Sequence, residues 1–97
     1  MAIELTAKSK IVAQKVFKGQ PVTAAEAEAL ILELGAEPLP LSRGKGAHRL
    51  YRVPNQKRPY SIPWHSSKQE LGSNVAKSFK QLLRANKVTK TGEIVDD

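Results

Sequence analysis

Residues 47–64 have the sequence AHRLYRVPNQKRPYSIPW. Within them, residues 47–53 and 59–64 alternate bulky apolar or aromatic residues with polar ones, which is typical of strands with one buried face. Residues 54–58 between them are turn-forming and polar types, and they predict a hairpin loop. This segment therefore predicts a hairpin of two antiparallel strands.

The residues before the hairpin predict two helices and an edge strand. Residues 5–18 have approximate helical periodicity, and Gly19 is a suitable residue to end that helix. Thr23 and Glu26 have the spacing of a capping box at the start of a second, apolar helix. Prolines within residues 37–42 exclude a helix there and are typical of an edge strand.

The residues after the hairpin predict a third helix, capped by Ser73, with an apolar stripe. The whole pattern predicts an α+β fold of two layers, in which helices cover one face of a three-stranded antiparallel sheet. The order is α-β-β-β-α after an extra N-terminal helix. We expect that extra helix in residues 1–20, a domain in residues 21–87 and a loose polar tail in residues 88–97.

Composition limits the class of protein. The chain has 97 residues, which suits one small domain, and no cysteine, which excludes disulfides and thiolate metal sites. Two histidines and scattered carboxylates give no recognisable metal-ligand pattern, so no metal or other cofactor is expected. No apolar run approaches the roughly 20 residues that cross a bilayer, and no signal peptide is evident. A soluble, cytoplasmic protein without membrane contact is expected.

The charge is distributed unevenly along the chain. The net charge is +7, and residues 43–90 contain twelve Lys or Arg against the single acid Glu70. A segment of one charge sign is typical of a surface that binds phosphates, and RNA is the partner we favour. The alternative is a basic surface that serves only solubility.

Several short motifs occur in the order known from one protein family. They are Gly35, Gly46-Ala47-His48, Tyr51-Arg52-Val53-Pro54, Ile62-Pro63-Trp64-His65, Lys68, Leu71 and Gly72-Ser73. On these motifs, residues 23–86 resemble the HicA-type toxins. These are small ribonucleases of bacterial toxin–antitoxin pairs with a double-stranded-RNA-binding-domain-like fold.

The resemblance implies metal-independent cleavage of messenger RNA, with His48 as the catalytic residue and a small antitoxin protein as a partner. RNA carries its own nucleophile, the 2′-hydroxyl, so the protein need only supply a base, an acid and charge stabilisation. Histidine suits the first two roles because its unperturbed pKa is about 6.5. The alternative for His48 is an edge histidine that packs or caps a loop.

The hairpin also indicates where the second histidine lies. If the loop centres on Gln56, His48 faces Trp64 and lies diagonal to His65, with both rings near the open end and on opposite faces. A one-residue shift would put the two rings on the same face. His65 is therefore a secondary candidate for catalysis, or a residue that supports the structure or the substrate.

Other basic and aromatic residues are candidates for RNA contacts. The candidates for phosphate binding are Lys45, Arg49, Arg52, Lys57 and Lys68, whose alternative role is solubility. The candidates for base stacking are Tyr51, Tyr60 and Trp64, whose alternative role is packing in the core or at its rim.

Two further functions are consistent with the sequence. Ala47 stands where the family has a hydroxyl residue and Ser66-Ser67 where it has paired glycines, which favours a non-catalytic RNA-binding or regulatory module. The extra helix in residues 1–20 would suit a dimer or partner surface, or else packing in the core. The sequence leaves the oligomeric state open.

Overall fold

The computed structural model describes residues 4–40 and 48–95. The helices are α1 (Ala7–Lys18), α2 (Ala24–Glu33) and α3 (Ser73–Ala85), and the strands are β1 (Glu37–Pro38), β2 (His48–Arg52) and β3 (Tyr60–Pro63). The strands form one antiparallel sheet in the order β1-β2-β3. The structure confirms the predicted two-layer α+β fold, with helices on one face of a three-stranded antiparallel sheet.

Local sequence signals place the end of the first helix and the start of the second as predicted. The Thr23 hydroxyl accepts from the Glu26 N–H at 3.2 Å, and the Glu26 carboxylate accepts from the Thr23 N–H at 2.9 Å. This capping box satisfies two backbone N–H groups at the start of α2. Helix α1 ends at Gly19, whose left-handed backbone (φ 75°) is one that glycine adopts without steric cost.

Helix α3 begins differently from the prediction that Ser73 caps it. The capping position is Gly72, with extended backbone and no side-chain cap, and Ser73 is already helical. The preceding chain is bound to the start of α2, because the Leu71 N–H donates to the Val22 carbonyl at 2.9 Å and Glu70 bridges Thr23. The extended conformation therefore continues through Gly72.

The extra N-terminal helix is part of the core. Val12, Ala13 and Val16 of α1 are buried within the same apolar cluster as the buried residues of α2 and α3. The Glu33 carboxylate of α2 also accepts from the Ser9 hydroxyl at 2.5 Å and from the Thr6 N–H and hydroxyl, each at 2.9 Å. Burial raises the pKa of Glu33, but these hydrogen bonds lower it by more, so that its pKa lies below the usual value.

Residues 88–95 differ from the loose tail that their polar composition predicts. Val88 and Ile94 form a β-bridge, and both pack against the core. Between them the backbone of Gly92 approaches α1 so closely that an added Cβ would lie 2.7 Å from the Lys10 carbonyl oxygen. The segment is thus a closed turn on α1, because two apolar residues and one glycine make contacts that local composition does not indicate.

The register of the β2–β3 hairpin is one residue away from the predicted one. His48 lies opposite Pro63 rather than Trp64, and Tyr51 lies opposite Tyr60. The loop between the strands turns through Asn55, which has left-handed backbone (φ 64°) and whose side chain donates to Asn86 at 3.2 Å. This contact with the end of α3 fixes a loop geometry that the loop sequence alone did not indicate.

Candidate nucleic-acid interface

The alternation of side chains along β2 and β3 divides the candidate residues between two faces of the sheet. We call the side packed against the helices the covered face, and its residues on these strands are Arg49, Tyr51, Tyr60 and Ile62. The opposite side is the open face, formed by Glu37, His48, Leu50, Arg52, Ser61 and Pro63. Residues adjacent in the sequence therefore point to opposite sides of the molecule.

His48 is exposed at the first residue of β2, on the open face. Its ring makes no hydrogen bond to any residue in 4–40 or 48–95. His65 is also exposed, two residues beyond the partner of His48, and its backbone N–H donates to the Gln69 side chain at 2.7 Å. Both histidines lie at the open end of the hairpin, as predicted. In the observed register, strict alternation would direct both rings to one face, but β3 ends before His65.

The basic candidates are spread over the fold. Arg52 is exposed on the open face, opposite Glu37 of β1. Lys57 is exposed in the hairpin loop, beyond the end of β2 remote from His48, and the rise along β2 alone is about 13 Å. Lys45 lies outside the described residues. Neither Arg52 nor Lys57 makes a hydrogen bond to His48.

Lys68 lies in the loop between β3 and α3, which is fixed to the N-terminus of α2. The Ala24 N–H donates to the Gln69 carbonyl at 2.7 Å, and the Ala25 N–H donates to the Ser67 carbonyl at 3.2 Å. These bonds satisfy backbone N–H groups that the first turn of a helix leaves without partners. The loop thus presents the exposed Lys68 side chain from a backbone of defined position.

Arg49 is on the covered face and makes two contacts there. Its Nη1 lies 3.2 Å from the Glu28 carboxylate, and its guanidinium carbon lies 3.8 Å from the centre of the Trp64 ring. The side chain is nevertheless 45% exposed. Arg49 is therefore oriented by a carboxylate and an aromatic ring, while part of its guanidinium remains accessible to solvent.

The aromatic candidates differ in how accessible their rings are. Tyr51 is fully buried, and its hydroxyl donates to Glu28, so its ring presents no face to a base. Burial, reinforced by the Glu28 carboxylate, raises the Tyr51 pKa well above its ordinary value. Tyr60 is partly buried, with its hydroxyl bonded to α3, and burial raises its pKa too. Trp64 is half-buried beneath Arg49.

Glu28 is the residue of this cluster that the sequence analysis did not single out. One of its carboxylate oxygens accepts from both Arg49 and Tyr51. The sequence does carry a signal for its position. Ala24 and Ile31, both buried, precede and follow it by four and three residues, which places Glu28 on the packed side of α2.

A recess of about 280 Å³ adjoins this cluster. It lies between α2, β1 and β2, and its lining residues are Glu28, Pro38, Leu39, Arg49, Leu50 and Tyr51. Its walls are thus mostly apolar, with one carboxylate and one guanidinium. An apolar lining with a few polar groups is the usual composition of a small-ligand site.

The described part of the chain, residues 4–40 and 48–95, contains no group of three His, Asp or Glu side chains that could bind a metal ion. In the same residues no helix has the length and apolar character needed to cross a membrane. Comparison of the chain with protein-family models, curated proteins and solved structures finds no match.

Proposed function

We propose that this protein binds RNA at the end of the hairpin that carries both histidines and cleaves it without a metal ion, as a ribonuclease of the HicA type would. The observation that carries the proposal is the position of His48. It is exposed at the start of the central strand, on the face of the sheet opposite the helices. It also lies in the part of the chain where basic residues greatly outnumber acids.

The chemistry requires one base and one acid. His48 would remove the proton from a 2′-hydroxyl, and that oxygen would attack the neighbouring phosphorus. The bond from phosphorus to the 5′-oxygen breaks, and the departing oxygen takes a proton from an acid. The products are a 2′,3′-cyclic phosphate and a free 5′-hydroxyl. His65, at the same end of the hairpin, is the candidate acid or a support for the substrate.

The proposed substrate and partner are those that the resemblance to the HicA-type toxins implies. The substrate is messenger RNA, which places the activity in the cytoplasm. The open face would accept the small antitoxin protein that the resemblance implies, and the bound antitoxin would keep RNA away from His48. Arg52, Lys57 and Lys68, all exposed, are the described candidates for phosphate contacts.

The deciding experiment compares the parent protein with the His48→Ala and His65→Ala variants on a single-stranded RNA in the presence of a chelator. We expect His48→Ala to slow cleavage by about 10²- to 10⁴-fold, the usual contribution of a general acid or base. His65→Ala should have the smaller effect. RNA methylated at the 2′-oxygen should bind but remain intact, because its nucleophile is blocked.

Both histidine side chains are exposed, so neither substitution should unfold the protein, and circular dichroism checks this. Equal cleavage by the parent and His48→Ala would contradict a catalytic role for His48. Absence of cleavage by the parent, with its antitoxin absent, would contradict ribonuclease activity.

The alternative function is a non-catalytic RNA-binding module. The position of Arg49 favours it, because this residue contacts Glu28 and Trp64 on the covered face instead of lying beside His48. A binding module would bind RNA with strong salt dependence, since phosphate contacts dominate affinity. His48→Ala would then leave the binding nearly unchanged, and no RNA would be cleaved.

A further inference from the structure

We infer that Arg49 and Trp64 form a stacking platform for one unpaired RNA base, which occupies the recess between α2, β1 and β2. This inference rests on the proposed RNA binding and narrows the substrate to RNA with an unpaired nucleotide at the site. It assigns Arg49 to a base rather than to a phosphate. It also gives Glu28 a positioning role.

The layered arrangement of side chains supports the platform. Trp64 follows β3 and packs on the core, and the Arg49 guanidinium lies over its ring at 3.8 Å. The recess lies toward β1, where Pro38 and Leu39 line it together with Arg49. Arg49 lines the recess and Trp64 does not, so a ligand there would meet the guanidinium rather than the indole. The plane available to a ligand is therefore that of the guanidinium, and unpaired bases stack on such planes.

Glu28 fixes the orientation of that plane. Its carboxylate binds Arg49 at 3.2 Å and also accepts from the buried Tyr51 hydroxyl. Because Tyr51 is fully enclosed by the core, it limits the movement of the carboxylate, and the carboxylate limits that of the guanidinium. A guanidinium fixed in this way loses little side-chain entropy when a base stacks on it.

The charges that line the recess favour a base over a phosphate. Glu28 lines the recess with its carboxylate, which repels a phosphate but can accept hydrogen bonds from the N–H groups of a base. Pro38, Leu39 and Leu50 make most of the remaining lining apolar, which suits the ring of a base better than a phosphate. Base-paired RNA cannot present a free base face, so the occupant is an unpaired nucleotide.

The position of the platform relative to His48 fits neighbouring nucleotides of one strand. Arg49 follows His48 directly, and their side chains leave β2 on opposite faces at the same end of the strand. A base in the recess would thus place the adjoining backbone near the edge at which His48 is exposed. The platform would determine which nucleotide of an unpaired strand reaches the histidine.

The test uses two probes methylated at every 2′-oxygen, so that neither is cleaved. One is a short oligoadenylate, and the other is an abasic chain of the same length, which has the same phosphates but no bases. We expect the parent protein to bind the oligoadenylate about tenfold more tightly, since stacking of a single base contributes an effect of this size. Trp64, the only tryptophan of the chain, should change its fluorescence with the oligoadenylate alone.

The Arg49→Lys variant keeps the charge but removes the planar group. We expect it to bind both probes with the affinity that the parent has for the abasic chain. Arg58→Lys, a matched substitution in the exposed hairpin loop, should leave the preference for oligoadenylate unchanged. A duplex of the same length should leave the Trp64 fluorescence unchanged.

The outcomes separate this inference from the proposed function. Equal affinity of the parent for the two probes, or a preference that survives Arg49→Lys, would overturn the platform while leaving RNA binding intact. Failure of both probes to bind at low salt would contradict the proposed function itself.

Discussion

The covered and open faces of the hairpin belong to the same strands but differ in what surrounds them. Tyr51 and Ile62 on the covered face are fully buried, whereas Leu50, between the exposed His48 and Arg52, is only half-buried. The strands thus contribute to the core with one set of side chains and to the surface with the other. Residues adjacent in the sequence, such as His48 and Arg49, therefore have different surroundings.

The comparison of faces predicts its largest effect for a truncation in the core. Ile62→Ala should lower the free energy of unfolding by about 3 kcal/mol, because it removes buried methyl groups and leaves a cavity. Ile62 is fully enclosed beneath the helices. Chemical denaturation measures the loss.

The matched variant on the open face is Leu50→Ala, one position from the residue opposite Ile62. Leu50→Ala should lower the free energy of unfolding by less than about 1 kcal/mol, because the Leu50 side chain is already partly exposed to water. A loss equal to that of Ile62→Ala would show that the open face is itself packed in solution, for example against a second copy of the chain.

Local signals predicted much of this arrangement. The Thr23–Glu26 capping box acts over one turn of helix, and the prolines near β1 predict an edge strand. The Leu39 N–H donates to the Leu50 carbonyl at 2.9 Å, so by alternation the nitrogen of Pro38 faces away from β2, where no ladder bond is lost. Signals of this kind depend only on residues close together in the sequence.

Contacts between distant residues could not be predicted in the same way. The hairpin loop contacts the end of α3 through Asn55 and Asn86, and Arg49 contacts Glu28 and Trp64 from two other parts of the fold. The residues that flank each of them in the sequence give no signal of these contacts. The contacts become evident only in the folded structure, where the helices pack on the sheet.

A smaller effect is expected at Gly92, where the C-terminal turn contacts α1. Gly92→Ala should lower the free energy of unfolding by about 2 kcal/mol, because the backbone is left-handed (φ 86°) and the new methyl group would collide with Lys10. The loss is limited because the C-terminal turn can move away from α1. RNA binding should not change, which an affinity measurement beside the denaturation would establish.

Gly19→Ala is the control for backbone strain alone. Gly19 has a similar φ of 75° but has open space where a Cβ would be added. Gly19→Ala should lower the free energy of unfolding by about 1 kcal/mol. If Gly92→Ala costs no more than Gly19→Ala, the close contact between the C-terminal turn and α1 does not contribute to stability.

The smallest expected effect concerns the two tyrosines, both of which have raised pKa values in the folded protein. Tyrosine in the unfolded chain has a pKa of about 10. Below that pH both the folded and the unfolded state keep the phenolic proton, so the tyrosines' contribution to the free energy of unfolding is fully present. Above it, the unfolded state loses the proton while the folded state retains it, so the free energy of unfolding falls as pH rises. Tyrosinate absorbance should therefore appear at a higher pH in the folded protein than in the denatured protein, with far-ultraviolet circular dichroism recording which state is present.

Two variants separate the contributions of the two tyrosines of the covered face. Tyr51→Phe should remove the larger part of the alkaline loss, because Tyr51 is both fully buried and bonded to the Glu28 carboxylate. Tyr60→Phe should remove less, because its hydroxyl contacts the neutral Val75 carbonyl and Ser78 hydroxyl. Tyrosinate absorbance near pH 10 from folded Tyr60→Phe would mean that the Tyr51 hydroxyl is accessible to water. The support that Tyr51 and Glu28 give to Arg49 would then be absent, and the preference for an unpaired base should be absent with it.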